Sequence, residues 1–201
     1  MRLLELFAGT GSVGAAFRAK GWEVISVDID PKATPTLCMD VRELDVSSLP
    51  PIDVVWASPV CTQYSIARTV GPPRDLSAAD SLVLATLRIV EQLGCPYFIE
   101  NPYTGLLKTR PFMQGLVYRI VDYCTYGYPY RKRTAIWTNE SWVPSRPLCR
   151  HDCSASVGRR HAQSAQRGTR RGQSERSFSI AQLYSIPPSL CAEIAAFASE
   201  T

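Results

Sequence analysis

The sequence predicts a doubly wound α/β fold with a mostly parallel sheet. Short β-rich runs alternate with helical segments from residue 1 to about residue 139, a glycine turn joins the first strand to the first helix, and a final amphipathic helix needs a body to pack on. The 201 residues suffice for one domain with a small appendage, and 45% hydrophobic against 20% charged residues excludes disorder of the whole chain.

In order, residues 3–7 read as a strand, 12–20 as a helix and 23–27 as a second strand. The continuous apolar run 52–56 reads as a buried strand. Ser77 with Asp80 three residues on predicts a helix start, and Leu84, Leu87 and Val90 give that helix an apolar face through Leu93. Strands follow at 97–99, 118–123 and 134–137. Residues 157–177, rich in Arg, Gln, Ser and Gly, lack apolar periodicity and read as a solvated arm. Pro187 and Pro188 then open a last helix with Leu190, Ile194 and Phe197 at helical spacing. The expected organisation is a body of residues 1–140 and 179–201 carrying a short basic insert, 141–178.

The net charge of +4 is unevenly spread: seven arginines between Arg150 and Arg176 face two acids, a local excess of +5. Such an arm suits phosphates, the alternative being a solvated face with no partner. Seven cysteines, an odd number, fit a reducing compartment better than a disulfide framework. No apolar run is long enough to span a bilayer, and Met1 leads directly into a strand-like run, so no membrane association and a cytoplasmic location are expected.

Three strand ends carry chemistry. Gly9-Thr10-Gly11-Ser12-Val13-Gly14 sits between a strand and a helix, with Asp28 nineteen residues after Gly9, the pattern for a nucleoside-containing cofactor. That pattern alone fits NAD as well as S-adenosylmethionine. Glu5 favours the latter, because a carboxylate there repels a pyrophosphate and attracts a sulfonium and an ammonium. After the buried strand, Ser58-Pro59-Val60-Cys61 brings a thiol to the ligand crevice, and after the next strand Glu100-Asn101-Pro102 brings an acid and an amide.

These segments resemble the cytosine-C5 DNA methyltransferases. LELFAGTGSVGAAF resembles their cofactor motif, VDID with Asp40 their ribose- and adenine-contacting acids, SPVCTQYS their catalytic loop, FIENP their glutamate-asparagine motif and YGYPYRKRTAIW their arginine motif. The terminal SIPPSLCAEIA is similar to the last motif, in the family's order, and the small size resembles compact phage-type members. The resemblance implies a Rossmann-like, class I S-adenosylmethionine-dependent methyltransferase fold. It implies Cys61 attacking C6 of a flipped cytosine in DNA, Glu100 assisting at N3, and Arg133 supporting the base. Asn101 and Arg131 are implied as substrate contacts. Glu5, Phe7, Ala8, Gly9, Thr10, Gly11, Asp28, Ile29, Asp40, Val41 and Pro59 would surround S-adenosylmethionine.

This chain departs from the family pattern at three points. Val60 stands where the family usually has proline before the nucleophile. The arginine motif reads either as Arg131-Lys132-Arg133 or, aligned on the strand, as Arg133-Thr134-Ala135. Only some forty residues replace the usual target-recognition domain, which predicts short or loose sequence preference and salt-dependent binding. RNA as substrate, an amino-group methyltransferase, transfer of an alkyl group other than methyl, and a catalytically silent binding module are the alternatives. Within the insert, Cys149 and Cys153 at Cys-x3-Cys spacing, with His161, offer ligands for a zinc knuckle; the fourth is undetermined, and free cysteines are the alternative.

Overall fold

Successive residues of β1 (Arg2–Leu6) point to opposite faces of a sheet that is buried on both sides. Leu3 enters one core with Val13, Phe17, Leu190 and Ile194. Leu4 and Leu6 enter the other with Val27, Val83 and Ile89. The computed structural model describes residues 1–66, 72–165 and 178–200.

After β1 come α1 (Ser12–Ala19), β2 (Glu23–Asp28), β3 (Leu37–Cys38), β4 (Val54–Ala57), α2 (Leu76–Leu93), β5 (Tyr97–Pro102) and β6 (Tyr118–Asp122). Then follow β7 (Tyr130–Arg131), β8 (Arg133–Thr138), β9 (Ser156–Val157), β10 (Arg160–His161), β11 (Gln163–Ser164), α3 (Ile180–Tyr184) and α4 (Pro188–Ala198). The main sheet has the order β3-β2-β1-β4-β5-β8-β6. Its first five strands run parallel, while β8 is antiparallel to both neighbours. The expected doubly wound, mostly parallel sheet is therefore present. The last helix returns to the body: α4 packs beside α1, and Trp22 Nε1 donates to Ser199 Oγ at 3.0 Å.

Several elements differ from the sequence expectation. Asp75, not Ser77, caps α2 by accepting from the Ala78 amide at 2.9 Å. Asp80 is instead buried, accepting from the Tyr64 hydroxyl at 2.8 Å and pairing with Arg110. Leu84 faces solvent and Val83 takes the core position, because the α2 face is set by the sheet beneath it. Trp142, which the sequence places in the insert, is buried against Phe98. Part of the expected solvated arm forms short strands: β9 pairs antiparallel with β10, and β11 pairs with β7. Arg167, Arg170, Arg171 and Arg176 lie outside the described residues.

Candidate active site

The turn after β1 is shaped by backbone. Gly11 caps α1 with φ +67, a conformation that excludes most side chains, and the helix has no side-chain cap of its own. A carboxylate from β1 takes that role: Glu5 Oε1 accepts from the Gly14 amide at 3.0 Å. A Cβ at Gly14 would displace the Glu5 carboxylate, so glycine there lets Glu5 reach the helix amide. Phe7 holds φ +58, an uncommon conformation for an aromatic residue. Asp28 closes the turn from β2, its Oδ2 accepting from the Gly9 amide at 2.9 Å.

A cavity of about 660 Å³ opens where these strands end. Its wall includes Glu5, Phe7, Ala8, Gly9, Thr10, Asp28, Ile29, Asp40, Val41 and Pro59, so the structure gathers the expected cofactor residues except Gly11, which caps α1. Val60, Cys61, Glu100 and Lys132 complete the opposite side. Ile180, Ala181, Tyr184 and Ile186 also line it; no site role was assigned to them from sequence, although the Ser179/Gln182 capping box that starts α3 is written there.

Glu5 is 2% exposed, and its Oε2 has no hydrogen-bond partner. Burial pushes its carboxyl up, while the Gly14 and Val13 amides and Arg18 pull it down. A buried carboxylate that lines the cavity favours a cationic guest over an anionic one. The sulfonium and ammonium of S-adenosylmethionine meet that preference, and a pyrophosphate does not. Asp40 is held below the ordinary carboxylate range by hydrogen bonds from Arg42, with which it pairs at 2.5 Å.

The loop from Pro59 to Tyr64, which carries Cys61, is fastened at both ends. Asn101, fully buried, donates from Nδ2 to the Pro59 carbonyl at 2.9 Å. The Tyr64 hydroxyl reaches Asp80, and the Tyr64 carbonyl accepts from the Leu106 amide at 2.9 Å. Asn101, expected as a substrate contact, therefore turns its Nδ2 under the loop and does not line the cavity. Burial pushes the Cys61 thiol up, Lys132 pulls it down and Glu100 pushes it up.

The arginine motif departs most from expectation. Arg133 forms a two-pronged pair with Asp122 at 3.0 and 2.8 Å, and Arg131 reaches the same carboxylate at 3.2 Å. Neither lines the cavity. Residues 131 and 133 share the Asp122 side of the chain, so the residue between them turns the other way. Lys132 Nζ lies 3.8 Å from Glu100 Oε1 and donates to the Leu183 carbonyl at 3.2 Å. Tyr123, fully buried, donates to the same Glu100 oxygen at 3.0 Å. Sequence reasoning missed both Lys132 and Tyr123; strand alternation around the two arginines was the available signal for the lysine. Cys149, Cys153 and His161 come together outside this cavity, beside Cys124.

The sheet order, with a cavity at the strand ends beside the glycine turn, is that of a Rossmann-like, class I methyltransferase fold. A model of the C-5 cytosine-specific DNA methylase family matches residues 1–110. The probable DNA (cytosine-5)-methyltransferase of Frog virus 3 (isolate Goorha) is 33% identical across 96% of this chain and 98% of the viral protein. The chain belongs to the C-5 cytosine-specific DNA methylase family, whose cofactor is S-adenosylmethionine. Among solved structures, a putative DNA modification methyltransferase encoded within an E. coli prophage superimposes with TM-score 0.51 at 20% identity, covering 69% of this chain and 46% of that one. The Entamoeba histolytica methyltransferase EhMeth gives 0.55 at 16% identity, covering 74% and 57%. The chain thus spans about half the length of these solved structures, and their likeness concerns the fold alone.

Proposed function

We propose that this chain methylates C5 of a cytosine extruded from duplex DNA, through a covalent adduct on Cys61. The convergence of Cys61, Glu100 and Lys132 on the cavity that Glu5 also lines supports this reading. Extrusion is required because neither C5 nor C6 can be reached by a side chain within the base stack.

Cys61 thiolate forms a bond to C6 while the Glu100 carboxylic acid delivers a proton to N3, so the ring electrons collect at C5. Lys132 acts where the cation of the arginine motif was expected: its ammonium favours the Cys61 thiolate and offsets charge on Glu100 after proton transfer. Tyr123 keeps Glu100 turned toward the cavity. Glu5, Phe7, Asp28 and Asp40 would hold the cofactor, which when bound supplies an electrophilic methyl group. Departure of the C5 proton to a solvent base restores the ring electrons, breaks the C6–S bond and releases Cys61 thiolate. The N3 proton returns to Glu100.

The insert stands in place of a larger target-recognition domain. Arg150, Arg159 and Arg160 are exposed on it, which supports contact with phosphates more than with base edges. Binding should weaken steeply with salt and tolerate varied sequence. Seven unpaired cysteines suit the reducing cytoplasm of a bacterial or infected host cell.

A duplex containing 5-fluorocytosine tests the chemistry, because fluorine cannot leave as a proton and the adduct stays on the protein. Wild-type protein with S-adenosylmethionine should yield a covalent complex and Cys61→Ser none, while mass analysis of digested normal duplex should find 5-methylcytosine. Methylation surviving in Cys61→Ser, or modification of tRNA with none of DNA, would overturn the reading.

A further inference from the structure

We infer that Cys124, Cys149, Cys153 and His161 form a zinc site that staples the insert to the catalytic body. Their ligand atoms all lie within 4.8 Å of one another, with His161 Nε2 3.5 Å from Cys149 Sγ and 3.3 Å from Cys153 Sγ. A tetrahedral ion about 2.3 Å from sulfur and about 2.0 Å from nitrogen sets its ligand atoms roughly 3.5 to 3.8 Å apart. The four side chains are therefore close to that arrangement, and three thiolates with one imidazole are a zinc donor set. The His151 amide donates to Cys149 Sγ at 3.3 Å, a contact that stabilises thiolate and orients the sulfur.

The fourth ligand comes from outside the insert. Cys124 belongs to the turn after β6, far in sequence from Cys149, so spacing within the insert could not reveal it.

The insert needs such a staple. Trp142 and Cys149 are buried, but no residue from 150 to 165 is, and two-residue strands do not hold a hairpin by themselves. Metal bonds supply what a core cannot at this size.

The staple also abuts the catalytic wall. Cys124 follows Tyr123, whose hydroxyl holds Glu100, and the Cys149 amide donates at 3.1 Å to Asp122, the carboxylate that receives Arg131 and Arg133. β11 pairs with β7 immediately before Lys132. Zinc would thus fix, through the insert, the strand that aims Lys132 into the cavity.

The full chain, purified without chelator, should contain about one zinc ion per molecule by elemental analysis. Cobalt exchange should give the visible bands and sulfur-to-metal charge transfer of a tetrahedral thiolate site. Cys124→Ser and Cys153→Ser should lose the bound zinc, whereas Cys95→Ser and Cys61→Ser should keep it. Should the Cys124 variant fail to fold, the cobalt spectrum of wild type and zinc protection of three thiols from alkylation carry the test. Absence of stoichiometric zinc together with no cobalt–thiolate spectrum overturns the inference, as does a disulfide among the three cysteines or zinc retained in both ligand variants. None of these readouts requires methylation, so they separate this site from the proposed reaction.

Discussion

The two walls of the cavity are assembled in different ways. The cofactor wall is largely one stretch of chain: the β1–α1 turn, the end of β2 and the segment through Asp40 and Val41, joined by backbone amides that donate to Glu5 and Asp28. The catalytic wall draws Cys61, Glu100 and Lys132 from three separated segments, each held by a residue behind it: Asn101 under the loop, Tyr123 on the acid, Asp122 on the arginines beside the lysine. A wall built from neighbouring residues shows its logic in a short motif; a wall built from distant ones depends on which way each side chain turns.

Removing the cation from the catalytic wall should break that side alone. Lys132→Met is expected to lower kcat about 30- to 150-fold, the loss of a charge-assisted contact worth about 2 to 3 kcal/mol, with cofactor affinity unchanged. The proposed reaction needs Cys61 as thiolate, so its rate should rise with pH. Because Lys132 pulls the thiol pKa down against burial, losing it should move that rising limb to higher pH, and Lys132→Arg should restore part of it. A pH profile that does not move would assign Lys132 a purely structural part.

Glu5→Gln should break the other wall, weakening S-adenosylmethionine binding about 10-fold while leaving kcat at saturation nearly intact. Cofactor binding favours the charged carboxylate, and burial raises the Glu5 pKa. Wild-type affinity should therefore fall as pH drops, starting above the ordinary carboxylate range, and calorimetric titration of the Gln variant should lack that limb.

A smaller effect sharpens the same contrast in α2, where a side chain's direction outweighs its type. Val83→Ala should cost about 1 to 3 kcal/mol in urea denaturation, and Leu84→Ala within about 0.5 kcal/mol, since only Val83 is buried.

Much of the fold was legible because alternating strands and helices leave a period in the chain, and the glycine turn, Asp28, Cys61 and Glu100 each follow a recognisable strand. The start of α2 was misread because Ser77 and Asp80 match a capping box as well as Asp75 does as a lone cap, and Asp80 was already engaged by Tyr64 and Arg110. Arg133 fitted the family's motif by type, but a buried carboxylate from β6 claimed it.

The sequence by itself determined the α/β class, the cofactor turn and which strand ends carry a thiol and an acid, because these follow from local periodicity and from residues close in the chain. Only the tertiary structure decided that Lys132, not Arg133, faces the cavity, that Asn101 lies beneath the loop, and that Cys124 meets Cys149, Cys153 and His161. Those outcomes rest on burial and on pairing across the sheet, where the cost of leaving Asp122 or a thiol cluster without partners is set by neighbours distant in sequence.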